Sequence, residues 1–171
     1  MASYQKITSS ITDELNSAIK TGFHRHKDDS DVRKTHLFGD RYENIYLNDS
    51  HIPELKTLIN EAIEHAQTIL GKQGLHAGYW FNYMPPESTT TLHTHDDDDE
   101  LLSGVYYVDV PASSGNLIIY DDSTDGMEKF EVIPRVGNFV FFKPDIRHEV
   151  SKNNSAFPRL SIGINFGMKS I

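Results

Sequence analysis

The sequence predicts a mainly β chain, a sandwich or jelly roll braced on one face by N-terminal helices. Two observations carry that expectation. From Ala77 onward, aromatic and β-branched runs of about five to nine residues alternate with clusters of Pro, Gly, Asn and Asp, as short strands and their turns do. Ahead of Ala77, apolar residues recur instead at the three- and four-residue spacing of helices facing a core.

Residues 1 to about 75 read as a helical support region. Ile11, Leu15, Ala18 and Ile19 fall on one helical face, Ser10 with Asp13 offers a start resembling a capping box, and Gly22 is the expected stop. Between Phe23 and Asp49 the chain is polar and holds His24, His26 and His36, with Phe38 to Tyr46 readable as a strand. A second helix is sharper: Leu55, Leu58, Ile59, Ala62, Ile63, Ala66, Ile69 and Leu70 form one stripe, opened by Pro53 and closed by Gly71. A stripe of that kind packs against a sheet.

Strands are expected at Tyr79–Tyr83, Ser88–His95, Leu101–Val110, Asn116–Tyr120, Phe130–Ile133, Asn138–Phe142, His148–Ser151 and Leu160–Phe166. Pro111 to Gly115 and Pro134 to Gly137 are the turns between neighbouring runs. With 171 residues and no visible linker or repeat, a single domain spanning 1–171 is expected, its β core over 77–167.

Composition narrows the chemistry. No cysteine is present, so any metal must be held by imidazole and carboxylate. A formal charge of −9 with no basic cluster argues against a nucleic-acid surface. No apolar run approaches the roughly 20 residues that span a bilayer, and the N-terminus lacks a secretory pattern, so no membrane partner and a cytoplasmic location are expected. The acidic runs Asp96 to Glu100 and Asp121, Asp122, Asp125 read as solvated loops.

The chemistry-bearing residues are His93, His95 and His148. Alternate positions of a strand share a face, so His93 with His95, or His95 with Asp97, can reach one ion, and His148 follows a later strand. All of His93, His95 and Asp97 would span too far for one ion at about 3.3 Å per residue. Two ligand sets therefore stand open: His93, His95 and His148, or His95, Asp97 and His148. The second gives the two imidazoles and one carboxylate of non-haem iron oxygenases, which leave coordination positions free; the first gives three imidazoles. His24, His26, His36, His51, His65 and His76 are read as ordinary histidines, and Trp80, Phe139 and Phe141 mainly as core.

Arg159 follows His148 and opens the last strand, sharing a face with Ser161 while Leu160 and Ile162 share the other. A guanidinium turned into a β-sandwich needs a partner, and the carboxylate of a bound dicarboxylate suits it, with Ser161 adding a bond.

Four segments in this order are similar to the Fe(II)/2-oxoglutarate-dependent dioxygenases: His93-Thr94-His95, Ser103 to Tyr107, Gly137 to Phe142 leading to His148, and Arg159-Leu160-Ser161. The nearest resemblance is to small bacterial and phage 2OG-Fe(II) oxygenases in which His-x-His precedes a Ser-Gly-Val-Tyr-Tyr strand, and it covers about residues 79 to 167. It implies a double-stranded β-helix of cupin-like jelly-roll type, with Fe(II) as metal and 2-oxoglutarate as co-substrate. It implies also that His148 is the distal ligand and that Arg159 with Ser161 binds the far carboxylate of 2-oxoglutarate. In related prolyl-hydroxylase-like enzymes a Tyr about ten residues before the first ligand histidine contacts the co-substrate. Tyr83 holds that place here, with Asn82 its neighbour on the same strand. If His93 is the first ligand, His95 stands where the family pattern has an aspartate, which leaves the ligand set open.

The implied activity is hydroxylation of a C–H bond of a small molecule or a protein side chain, releasing succinate and CO2. Two other readings use the same residues: a cupin-like three-histidine enzyme without 2-oxoglutarate, of thiol dioxygenase or isomerase type, and a non-enzymatic metal- or sugar-binding β-sandwich. A homodimer through the helical layer is compatible with the pattern.

Overall fold

The computed structural model describes residues 1–95 and 99–168. Its elements run β1 (Tyr4–Thr8), α1 (Asp13–His26), β2 (Arg33–Phe38), β3 (Arg41–Tyr46), α2 (Leu55–Leu70), β4 (His76–Met84), β5 (Thr90–His93), β6 (Glu100–Asp109), β7 (Leu117–Thr124), β8 (Gly126–Val132), β9 (Asn138–Phe142), β10 (Arg147–Val150) and β11 (Arg159–Gly167). A seven-stranded sheet ordered β1-β9-β6-β11-β4-β3-β2 faces a four-stranded sheet ordered β5-β10-β7-β8. Chain segments distant in sequence alternate between the two sheets, the arrangement of a jelly roll, and all eight expected strands are present. Among the described residues no helix is long and apolar enough to cross a membrane.

The helices cover the outer face of the large sheet. Leu55, Leu58, Ala62 and Ala66 of α2 and Ile19 and Phe23 of α1 are fully buried with Phe81, Phe139, Phe141, Ile162, Ile164 and Phe166. Each large apolar side chain so buried contributes about 1.5–3 kcal/mol. Gly71 ends α2 in the left-handed conformation, φ 62°, as expected of a glycine cap. A second apolar cluster, Tyr107, Leu117, Ile119, Val132, Val140, Phe142 and Ile146, fills one end of the space between the sheets. The other end is left open, and the candidate site occupies it.

Three features differ from the sequence reading. Residues 1–75 hold three strands as well as two helices: β1 pairs with β9, while the β2–β3 hairpin extends the large sheet beyond β4. These strands are short or largely polar, and edge positions demand no apolar run. Helix α1 starts two residues later than expected, with the Thr12 hydroxyl accepting from Leu15 N at 3.1 Å, and it runs through Gly22 to His26. Gly22 answers to packing: a Cβ there would lie 2.9 Å from Ile52. Finally, Asp121 and Asp122 lie within β7, and Glu100 opens β6.

Candidate metal centre

β5 and β10 are antiparallel neighbours, and His93 and His148 are register partners across them. A register shift follows, since Val150 pairs with Thr90, so β5 carries an extra residue beside the histidine, a common device for re-aiming a side chain. His95 lies just past β5, anchored by its backbone N–H donating to Pro144 O at 2.8 Å. The result is a cluster in which ligand atoms of His93, His95 and His148 all lie within 4.8 Å of one another.

Ring orientation is fixed from behind. The Nδ1–H of His148 donates to Ile146 O at 3.0 Å and that of His93 to Thr91 O at 2.5 Å, which turns both Nε2 lone pairs inward. His95 differs, with Nδ1 3.4 Å from Asn165 Nδ2 and Nε2 3.2 Å from His148 Nε2. That amide also donates to Glu100 Oε1 at 2.6 Å. Burial, and after it the charge of His93, drives His148 down to about 3; the same two causes hold His95 at about 4. Neutral imidazoles are the form that ligates a metal, and three of them facing one point fit a divalent first-row ion.

Asp97, from the alternative ligand set, lies outside the described residues. Of the other expected site residues, Arg159, Ser161 and Asn82 line one cavity of about 420 Å³ together with the three histidines. Tyr83 does not. Ser161 pairs with Asn82 and Leu160 with Tyr83, so alternation sends Asn82 inward and Tyr83 outward. The Tyr83 ring packs on Phe23 at 5.4 Å and His24 at 5.8 Å, on the helical side of the sheet. Its expected role as a co-substrate contact is thereby corrected: parity along β4 puts it on the wrong face.

Arg159 is buried to 1% exposure, and no carboxylate among the described residues pairs with it. Among the described residues its Nη1 reaches Ser161 Oγ at 3.4 Å and Met84 Sδ at 3.7 Å, its Nε finds no partner, and its guanidinium stands 5.4 Å from the centre of the Tyr107 ring. The Tyr107 hydroxyl is likewise buried without a partner, and desolvation pushes it up to about 12. Burial depresses Arg159, yet a guanidinium stays charged in a protein. An unpaired buried cation beside an unsatisfied hydroxyl is costly. A ligand carboxylate in the cavity would satisfy both.

Several residues in or around the cavity lay outside the sequence reading. Arg41, largely buried, donates to Asn82 Oδ1 at 3.0 Å, Tyr83 O at 3.1 Å and Thr89 O at 2.6 Å, tying β3 to β4 and to the approach to β5. Glu43 accepts from Thr91 N at 3.1 Å and Thr91 Oγ1 at 2.8 Å, which holds the histidine strand from the other side. The alternation Arg41-Tyr42-Glu43 was the available signal. Trp80 lines the cavity, its ring 5.4 Å from that of His95, whereas Phe139 and Phe141 sit in the core as expected. His36, read as ordinary, also lines the cavity.

Comparison with known proteins agrees with this geometry. Residues 78–165, about half of the chain, match the family described as "Putative 2OG-Fe(II) oxygenase". No curated protein matches. Among solved structures, a prolyl-4-hydroxylase of Pseudomonas putida is 19% identical with TM-score 0.69, over 98% of this chain and 94% of that one. The epimerase SnoN of nogalamycin biosynthesis, in complex with Fe3+, alpha ketoglutarate and nogalamycin RO, gives 14% and 0.75 over 96% and 78%. A Trichoplax adhaerens prolyl hydroxylase, with a hypoxia inducible factor peptide fragment, gives 12% and 0.74 over 96% and 83%. At these identities the likeness to the three structures is one of fold.

Proposed function

We propose a reaction and a set of residue roles from the premise that this chain belongs to the 2OG-Fe(II) oxygenase family. It is a 2-oxoglutarate-dependent oxygenase with Fe(II) as its metal. In our reading it hydroxylates a C–H bond of a small molecule or a protein side chain and releases succinate and CO2. His93, His95 and His148 hold the iron; Arg159 and Ser161, with Asn82 beside them, hold the distal carboxylate of 2-oxoglutarate.

The observation that carries this reading is Arg159: a fully buried guanidinium with no carboxylate partner among the described residues, sharing one cavity with three converging imidazoles. Bound there, iron and 2-oxoglutarate supply an oxidant by coupling oxidative decarboxylation to C–H oxidation. The chain's own residues do the rest. Arg159 and Ser161 fix one end of the co-substrate by charge-assisted hydrogen bonds, and the carbonyls of Ile146 and Thr91 keep two imidazoles aimed. Leu117, Phe142 and Val150 line the inner wall and exclude water. Arg41 and Glu43 brace the strand that carries His93. Family membership sets aside the readings that dispense with 2-oxoglutarate.

A peptide fragment is bound in one structure of similar fold and nogalamycin RO in another, which supports keeping both substrate classes. Calorimetry of 2-oxoglutarate binding to the Fe(II)-loaded protein without oxygen, followed by succinate assay in air, tests the reading. Saturable 1:1 binding and succinate release are expected; no binding to the iron-loaded protein would overturn it.

A further inference from the structure

One wall of the cavity is built by the β2–β3 hairpin, which contributes Arg33, His36, Glu43, Asn44 and Tyr46. Arg33 is exposed at the rim, its guanidinium carbon 3.9 Å from the centre of the Tyr46 ring. The Tyr46 hydroxyl is in turn held by Asn44 Nδ2 at 3.2 Å and Thr35 Oγ1 at 3.4 Å. Among the described residues, Arg33 has no acidic partner, whereas its neighbour Lys34 pairs with Asp28 at 3.1 Å. A guanidinium held over an aromatic ring is partly pre-oriented and keeps N–H donors for an anion.

His36 adds a second, independent sign. It adopts φ 59°, a left-handed conformation that costs a residue with a Cβ of the order of 1 kcal/mol, and strain of this kind collects at ligand-binding positions. Thr35 Oγ1 lies 2.9 Å from His36 Nδ1 and fixes the ring. The carboxylates on the cavity wall are already engaged: Glu43 by Thr91, and Glu100 by Asn165. At about 420 Å³ the cavity is near the small end for ligand sites, and it must admit co-substrate and substrate together.

We propose that the β2–β3 hairpin is the substrate-recognising wall, and that Arg33, braced on Tyr46 and flanked by His36, binds a carboxylate of the primary substrate, a small carboxylic acid. This anion site, on an exposed arginine, is separate from the one at the buried Arg159, and it rests on the oxygenase reading above. It selects the substrate by its acid group while the body of the molecule passes Trp80 toward the metal centre.

The test uses the full chain loaded with Mn(II) and 2-oxoglutarate. A panel of free L-amino acids and simple carboxylic acids, each matched with its primary amide, is titrated while fluorescence of Trp80, the chain's single tryptophan, is followed. At least one acid is expected to bind about tenfold or more tighter than its amide, the scale of a hydrogen bond to a charged group. Arg33→Gln should bring acid and amide to within about twofold, and Arg33→Lys should restore part of the preference. Amides binding as well as acids across the panel, no acid binding at all, or Arg33→Gln retaining the preference would each overturn the proposal. Failure of 2-oxoglutarate to bind the parent protein would instead strike at the oxygenase reading, so the two failures are distinguishable.

Discussion

His93 and His148 face each other as direct cross-strand partners of β5 and β10, with ring centroids 4.3 Å apart. Sheet register thus sets their separation, and the carbonyls behind them set which nitrogen faces inward. Such a pair is pre-organised: the strands have already met the cost of bringing the rings together.

In the metal-free protein this arrangement makes stability fall in mild acid. His148 and His95 are lowered from an ordinary 6.5 to about 3 and about 4, chiefly by burial. Between those values and 6.5 the unfolded chain binds more protons than the folded one. Their contribution is therefore complete above 6.5 and is lost as pH drops, by up to about 1.4 kcal/mol per pH unit for each histidine. Urea unfolding of metal-free protein at pH 5 and pH 7.5 should show the loss, and His148→Phe should flatten it. Equal stability at both pH values would contradict the account.

Arg159→Met should separate stability from function. Removing an unpaired buried cation while keeping the volume stabilises the metal-free chain by about 1–4 kcal/mol, read as a higher Tm. The same change removes the anchor for the distal carboxylate, costing about 2–5 kcal/mol of 2-oxoglutarate binding, a loss of thirtyfold or more by calorimetry.

Asn165 orients His95 while Glu100 holds its amide, at 3.4 Å and 2.6 Å. Asn165→Ala should weaken Fe(II) binding by about 10- to 100-fold while the fold, followed by circular dichroism, is retained.

Gly163 pairs with Trp80, and a Cβ on it would lie 2.5 Å from the indole ring. Gly163→Ala should displace that ring, cost about 1–3 kcal/mol of stability and shift Trp80 emission.

How far the sequence could be read follows from these same residues. The β core was legible because aromatic and β-branched runs from β4 to β11 are separated by firm turn clusters, and α2 because its stripe is apolar from Leu55 to Leu70. The hairpin of Arg33–Phe38 and Arg41–Tyr46 was only half seen, since an edge hairpin with one wet face needs no apolar run. Of the candidate site, the convergence of His93, His95, His148, Arg159 and Ser161 on one cavity was foreseeable from spacing and alternation, with Asp97 left open as an alternative ligand. Tyr83 was not, because counting residues from His93 ignores parity along β4, which the pairing with β11 decides. Arg33, His36 and Arg41 matter through partners that only folding brings near, such as Tyr46 and Asn82.

The central claim is that His93, His95 and His148 form one iron site. Anaerobic Fe(II) titration of the full chain, followed by quenching of Trp80 fluorescence with bound iron counted by elemental analysis, tests it most directly. The account predicts one iron per chain in the parent and none retained by His148→Ala; iron bound equally by both proteins, or by neither, would contradict it.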